Sequence, residues 1–325
     1  VSLYIGIPFC PTRCAYCSFV SADVGRTLKL VEPYLDALLK EIDVLGQVLE
    51  RTGKGLQTFY MGGGTPTTLS AGQLDRLLTR CREVLPLKGC TEYTVEAGRP
   101  DTIDRAKLEV LKRHGVGRIS INPQTLEDHV LRAIGRRHGA GDIRAANDLA
   151  RSVGFDCINM DLIAGLPQDS CEGFRRSLEG VLEMEPENIT IHTLALKKGS
   201  TLMERGGSLP SGAEVAEMLD FSREILIRRG YRPYYLYRQK YMSGALENVG
   251  WAKPGTENLY NIIMMEELQT VVSVGGGGVT KLVDYAAGRI VRLPNPKYPH
   301  DYLTSLEKVL AQKEELIRFY GSELP

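Results

Sequence analysis

The sequence predicts an α/β protein: a partial (β/α)6 barrel over residues 1–205, followed by a smaller C-terminal domain over 206–325. Apolar or β-branched stretches alternate with helical patterns, which favours parallel strands joined by right-handed crossovers with helices outside the sheet. Six such units are too few for the eight-unit closed form, so the sheet closes only in part. After about Gly206 the alternation stops and the composition changes.

The strands are expected at Leu3 to Ile7, Thr58 to Met61, Tyr93 to Ala97, Arg118 to Ile121, Cys157 to Ile163 and Asn188 to Leu194. Helical periodicity falls between them, at about Leu28 to Glu50, Ala71 to Leu85, Ile103 to His114, Asp142 to Val153 and Gly173 to Glu183. Functional groups should gather at the carboxyl ends of the strands, where the loops face the cavity. In the tail, a helix is expected from Ser211 to Arg229. Next come the tyrosine-rich Tyr231 to Tyr241, the glycine run Gly275 to Gly278 and a final helical stretch near Asp301 to Tyr320. This part is expected to cover the barrel mouth.

Composition excludes several functions. With 325 residues, 43% of them apolar and 25% charged, the chain has the make-up of a globular protein. Forty basic residues balance forty acidic ones, so no global field draws it to nucleic acid or an anionic membrane. No apolar run approaches the roughly 20 residues that span a bilayer, and the amino terminus lacks the regions of a signal peptide. A cytoplasmic location is expected. Because a strand begins almost at Val1, a segment upstream of it is expected to be missing.

Three of the seven cysteines, Cys10, Cys14 and Cys17, lie within eight residues, directly after the first strand. Adjacent thiolates at this spacing are soft metal ligands, and a reducing compartment keeps them from pairing as disulfides. Three ligands on a cubane iron–sulfur cluster leave one iron open for a substrate or cofactor. The spacing alone also fits a three-cysteine zinc site completed by a distant histidine such as His192. Cys81, Cys90, Cys157 and Cys171 have the settings of buried or capping residues.

Cys-x-x-x-Cys-x-aromatic-Cys after a first strand resembles the signature of radical S-adenosylmethionine (SAM) enzymes. The run from Gly62 to Pro66 after the second strand resembles the same family's glycine-rich loop. The resemblance implies a TIM-like partial barrel of the radical SAM type, a [4Fe-4S] cluster on Cys10, Cys14 and Cys17, and SAM on the open iron. Within that superfamily the chain resembles the oxygen-independent coproporphyrinogen III oxidases over nearly its whole length. That likeness puts SAM contacts at Tyr4, Tyr16, Gly63, Gly64, Thr65, Glu96, Gln124, Arg136, Asp161 and Ala195. Glu96, Gln124 and Asp161 stand at or near strand carboxyl ends, where a carboxylate or amide can bind an amine or a ribose hydroxyl.

The chain departs from this pattern in places. The best-known branch has another cysteine where Phe19 stands here, and an aromatic at that position is shared with a branch thought to carry haem as a chaperone. The chaperone's His-Asn-x-x-Tyr-Trp element appears only as Glu257, Asn258, Leu259, Tyr260 and Asn261, without its histidine. The segments Tyr234 to Tyr241 and Glu247 to Trp251 resemble a third branch, described as coproporphyrinogen dehydrogenases and carrying an extra amino-terminal domain.

The resemblance implies that a 5′-deoxyadenosyl radical takes hydrogen from a propionate side chain, which then loses carbon dioxide and one electron to become a vinyl group. Two rounds convert coproporphyrinogen III to protoporphyrinogen IX. The expected partners are the porphyrinogen substrate and an electron donor such as a flavodoxin or ferredoxin, with the protein acting as a monomer. A substrate with several carboxylates needs cations beside a flat apolar wall, for which Tyr235, Arg238 and Lys240 are the candidates. The same residues also fit a half-buried antiparallel strand with solvated charges. An oxidase and a haem carrier both remain open at this point.

Overall fold

The computed structural model describes residues 1–17, 22–195, 200, 202, 209–238 and 246–321. Its core is six parallel strands in sequence order: β1 (Ser2–Ile7), β2 (Thr58–Gly63), β3 (Glu92–Gly98), β4 (Arg118–Ile121), β5 (Cys157–Ala164) and β6 (Asn188–Thr193). The helices that return the chain between them are α1 (Val31–Thr52), α2 (Ala71–Val84), α3 (Arg105–Arg113), α4 (Ala140–Val153) and α5 (Cys171–Glu183). This is the expected alternation, with ends shifted by a few residues. Helix α1 starts at Val31 and not at Leu28, with Pro33 in its first turn, where the missing N–H has no intrahelical partner to lose.

Period-two alternation decides which side chains meet. Leu3, Ile5, Phe59, Met61, Val95, Ile119, Ile158, Met160, Ile189 and Ile191 point to the helices and are almost wholly buried. The alternate positions Tyr4, Tyr60, Glu96, Ser120, Asp161 and His192 face one cavity. Because the pairing is in register, Tyr4 lies beside Tyr60, and Asp161 beside Thr190. A sheet whose successive strands all face one cavity has to curve around it, which gives the partial barrel.

Residues beyond 206 extend this same sheet at both edges. After helix α6 (Gly212–Arg228) come the strands β7 (Arg232–Tyr237) and β8 (Asn248–Ala252); β8 adds antiparallel to β6, and β7 pairs antiparallel with β8 on its outer side. Helix α7 (Leu259–Glu266) touches both β7 and β2. Strand β9 (Val271–Gly275) then pairs parallel with β1, and the meander β10 (Val279–Asp284) and β11 (Arg289–Pro294) completes an eleven-stranded sheet. Three short helices, α8 (Pro299–Thr304), α9 (Leu306–Ala311) and α10 (Glu314–Gly321), pack back on α1.

The glycine run has a backbone reason. Gly275 has φ of +84°, and a side chain there would sit 2.4 Å from the Gly6 carbonyl oxygen. Only glycine lets the β9–β10 turn close onto the end of β1. A buried network holds that turn: Glu41 of α1 accepts from the Gly275 amide on Oε2 at 2.7 Å and from Asn295 on Oε1 at 2.8 Å, and Lys313 Nζ lies 2.7 Å from that same Oε1.

Candidate functional site

The cysteine loop is tied down from three directions. Phe9–Cys10 pairs with Ala22–Asp23, the Ala15 amide donates to Ile134 O at 3.0 Å, and Cys17 N donates to Cys14 O at 3.1 Å. Arg99, 3% exposed, donates through Nη1 to the carbonyl and hydroxyl of Thr12 at 3.1 and 2.8 Å while its Nε and Nη2 hold the two oxygens of Asp101. This clamp escaped the sequence reading, because nothing local to Arg99 indicates a partner 87 positions away. Cys10 Sγ lies 3.3 Å from Thr65 Oγ1, so the loop meets the glycine segment directly.

The amides of the glycine segment find their partners within the chain. Gly64 N donates to Ile7 O at 2.8 Å, Thr65 N to Phe9 O at 2.7 Å and Gly63 N to Glu96 Oε2 at 3.3 Å. The glycines thus stitch β2 to the chain that leads into Cys10, and a side chain at Gly64 would strike the Phe9 and Ile7 carbonyls at 2.6 and 2.8 Å. At Gly62 the missing side chain leaves room for the Glu96 carboxylate.

Glu96 receives the Tyr60 hydroxyl at 2.6 Å. Desolvation pushes its carboxyl up to about 7, against the Tyr60 hydrogen bond. Asp161 behaves in the opposite way. Burial pushes it upward, but His192, Asn159 and Thr190 outweigh burial and hold the acid below the usual carboxylate range. Two carboxylates on one wall therefore differ in protonation near neutrality.

Gln124 follows β4 with φ of +70°, a left-handed backbone unusual outside glycine and found at functional sites. Its amide and carbonyl are pinned to β5 through Asp161 O and Ile163 N, at 2.8 and 3.0 Å. Arg136 donates to Asn122 O at 2.5 Å and reaches Tyr16 Oη at 3.4 Å. Tyr4, Tyr60 and Tyr260 of α7 stack with centroids 4.5 to 6.4 Å apart. Neither Tyr60 nor Tyr260 was expected beside Tyr4 from the sequence. The period of β2 was the available signal for Tyr60, since it shares a face with Tyr4.

Tyr4, Tyr60, Glu96, Gln124, Arg136 and Asp161 border one cavity of about 600 Å³. Cys10, Cys14 and Cys17 lie on it, as do all ten expected SAM contacts, from Tyr4 to Ala195. Tyr235 is on the wall as well. Arg238 is not: its side chain is 68% exposed and holds Glu247 at 2.8 Å. The pleat explains its position. With Tyr235 and Tyr237 turned inward, Leu236 and Arg238 turn out. Lys240 and Phe19 lie outside the described residues. His192 is engaged with Asp161 and Tyr237, at 3.5 and 3.3 Å. The Gly275–Gly278 turn packs on Gly6, and none of its residues is among those that border the cavity.

The site suits an iron–sulfur cluster with a polar organic cofactor. Three soft thiols open into one cavity, while Asn122 Oδ1, Gln124 Oε1 and Arg136 Nε on its walls are buried without a hydrogen-bond partner among the described residues. Such atoms are ordinarily satisfied, so a donor- and acceptor-rich ligand accounts for them.

Residues 4–179 match the Radical SAM superfamily. The chain is also 42% identical over 316 residues to the oxygen-independent coproporphyrinogen-III oxidase-like protein HemZ of Bacillus subtilis, covering 96% of this chain and 63% of that one. The chain belongs to the radical SAM coproporphyrinogen oxidase family. It thus spans less than two thirds of the HemZ relative's length. Identity to the heme chaperone HemW of Lactococcus lactis is 32% over 326 residues, covering 97% of this chain and 79% of the chaperone. The fold matches that of the coproporphyrinogen III oxidase HemN of Escherichia coli, itself described as a radical SAM enzyme. That match has a TM-score of 0.75 at 24% identity and covers 94% of this chain and 69% of the other. The cofactors of this radical SAM family member are a [4Fe-4S] cluster and SAM. Among the described residues no helix is long and apolar enough to cross a membrane.

Proposed function

We propose that the chain oxidatively decarboxylates porphyrinogen propionates, converting coproporphyrinogen III to protoporphyrinogen IX. One observation carries the reading: the cavity that holds the three thiols also has an aromatic wall, where the Tyr235 and Tyr237 rings stack 11° from parallel with centroids 6.3 Å apart. Such a wall suits a tetrapyrrole.

When bound, the cluster and SAM supply one-electron cleavage and hydrogen abstraction at the propionate. The protein's part is holding and orienting. Cys10, Cys14 and Cys17 hold the cluster, and the Arg99 clamp keeps their loop still. Glu96 takes the SAM ammonium group and Asp161 a ribose hydroxyl, while Tyr4, Tyr16, Gly63, Gly64, Thr65, Gln124, Arg136 and Ala195 complete the cofactor's surroundings. Tyr235 and Lys240 are the substrate-side candidates. Labour is divided along the chain, with residues 1–205 carrying the cofactors and 206–325 the substrate wall. A flavodoxin- or ferredoxin-like donor delivers electrons to the monomer.

The similarity to HemW favours haem carriage as a second reading. Against it, Glu257 stands where the chaperone element has its histidine, and the neighbouring Asn258 caps α7 through the Asn261 amide. Anaerobic assay with SAM, coproporphyrinogen III, a reductant and an electron acceptor tests the proposal. Carbon dioxide should appear, with a mono-vinyl and then a di-vinyl product. Stoichiometric haem binding without decarboxylation would overturn the oxidase reading.

A further inference from the structure

Six side chains form a closed ring on the cavity wall. Asn159 Nδ2 donates to Asp161 Oδ1 at 2.8 Å, and Thr190 Oγ1 donates to Asn159 Oδ1 at 3.3 Å. Thr190 also lies 3.4 Å from the Tyr235 hydroxyl, and Tyr235 stacks on Tyr237. The Tyr237 hydroxyl lies 3.3 Å from His192 Nδ1, and His192 Nε2 stands 3.5 Å from Asp161 Oδ2, closing the ring.

The ring spans four strands, and one glycine makes that possible. Strand β8 lies between β6 and β7, and its Gly250 pairs with Thr190 on one side and Tyr235 on the other. A side chain at Gly250 would fall 1.9 to 2.6 Å from the Tyr235 ring. Its absence lets the ring lie across β8 and reach β6.

The proton order in the His192 arm follows from Asp161, which is held ionised and can only accept. His192 Nε2 therefore carries the hydrogen that faces it, and Nδ1 accepts from the Tyr237 hydroxyl. Both donors then point from the aromatic wall towards the carboxylate, an order in which each hydrogen bond polarises the next.

We propose that His192 is a positioning residue that ties the Tyr235–Tyr237 wall to the Asp161 carboxylate, so that the grip on SAM is set from the substrate side. This rests on the reading of Asp161 as a SAM contact. His192 touches neither cluster nor cofactor in this assignment. It orients the carboxylate that does, and Tyr237 orients His192.

The test is the SAM dissociation constant of the cluster-loaded protein without porphyrinogen, followed through the cluster's paramagnetic resonance, with iron content as a control. His192→Phe should weaken binding about tenfold and Tyr237→Phe about threefold, the scale of losing oriented hydrogen bonds to a charged group. His192→Gln, which keeps an amide donor, should return affinity to within about threefold of the parent. The His192→Phe/Tyr237→Phe double variant should bind no worse than His192→Phe alone, since both act through one path. Tyr237→Phe removes a single oxygen and keeps the test open should His192→Phe misfold. If Asp161→Ala leaves affinity unchanged, the underlying reading of Asp161 fails. If Asp161→Ala weakens binding while the His192 and Tyr237 variants match the parent, the positioning role is overturned.

Discussion

The Tyr60 hydroxyl donates to Glu96 at 2.6 Å, across a gap that exists because Gly62 has no side chain. The pair sets a pH dependence. Glu96 titrates near 7, well above its ordinary 4.5, so its carboxylate is only partly formed at neutrality. A SAM ammonium group needs that charge. Affinity for SAM should rise as pH goes from about 6 to 8, and Glu96→Gln should flatten the rise as well as weaken binding. Stability runs the other way. The native state holds this proton more tightly than the unfolded chain, so Glu96 lowers stability as pH climbs from about 4.5 to about 7. Binding titrations at several pH values check the first claim, and a profile identical in Glu96→Gln would contradict it.

Cluster loading should depend on Gly64 although it is not a ligand. A methyl group there meets the backbone of Phe9 and Ile7 below 3 Å, so the cysteine loop has to move. Reconstitution of the parent should give about four irons per chain. Gly64→Ala and Cys14→Ala should fall well short, while variants of Cys81, Cys90, Cys157 and Cys171 load as the parent does. Full loading in Cys14→Ala would refute the ligand assignment.

Arg238 should be dispensable. It forms an exposed ion pair with Glu247 on the outer side of β7, an interaction of about 0.2–1 kcal/mol. Arg238→Ala should leave the KM for coproporphyrinogen within about twofold of the parent, whereas Tyr235→Ala should raise it about tenfold or more. A tenfold rise in Arg238→Ala would return that side chain to the substrate.

The Glu41–Lys313 pair should govern folding and not chemistry. Both side chains are almost wholly buried, 272 residues apart, and tie the C-terminal helices to α1. Lys313→Met leaves a buried carboxylate short of its cation, which costs about 3–5 kcal/mol. Denaturant unfolding measures this. A loss below about 1 kcal/mol would show the charge to be otherwise satisfied.

Much of the barrel was legible because its signals are local. Ser70 with Gln73 and Ser211 with Glu214 form capping boxes whose spacing marks the helix starts in the sequence. The cysteine motif and the glycine segment lie at the ends of β1 and β2, and parallel topology brings such ends together wherever the helices lie outside. The outward position of Arg238 follows from the two-residue period of β7: once Tyr235 and Tyr237 face inward, the pleat sends Arg238 outward.

The sequence by itself determined the order and kind of the first six strands, the helices between them and the loop that carries the thiols, because each depends on neighbours within a few residues. Only the tertiary structure decided that β9 returns to pair with β1, more than 260 residues away in sequence. The same holds for Arg99 on the cysteine loop, Lys313 against Glu41 and Tyr235 across Gly250 to Thr190. The physical reason is that these contacts join groups with no local periodicity to announce them. They form when folding leaves a strand edge unpaired, a charge without solvent or a gap above a glycine, and a distant residue meets that need.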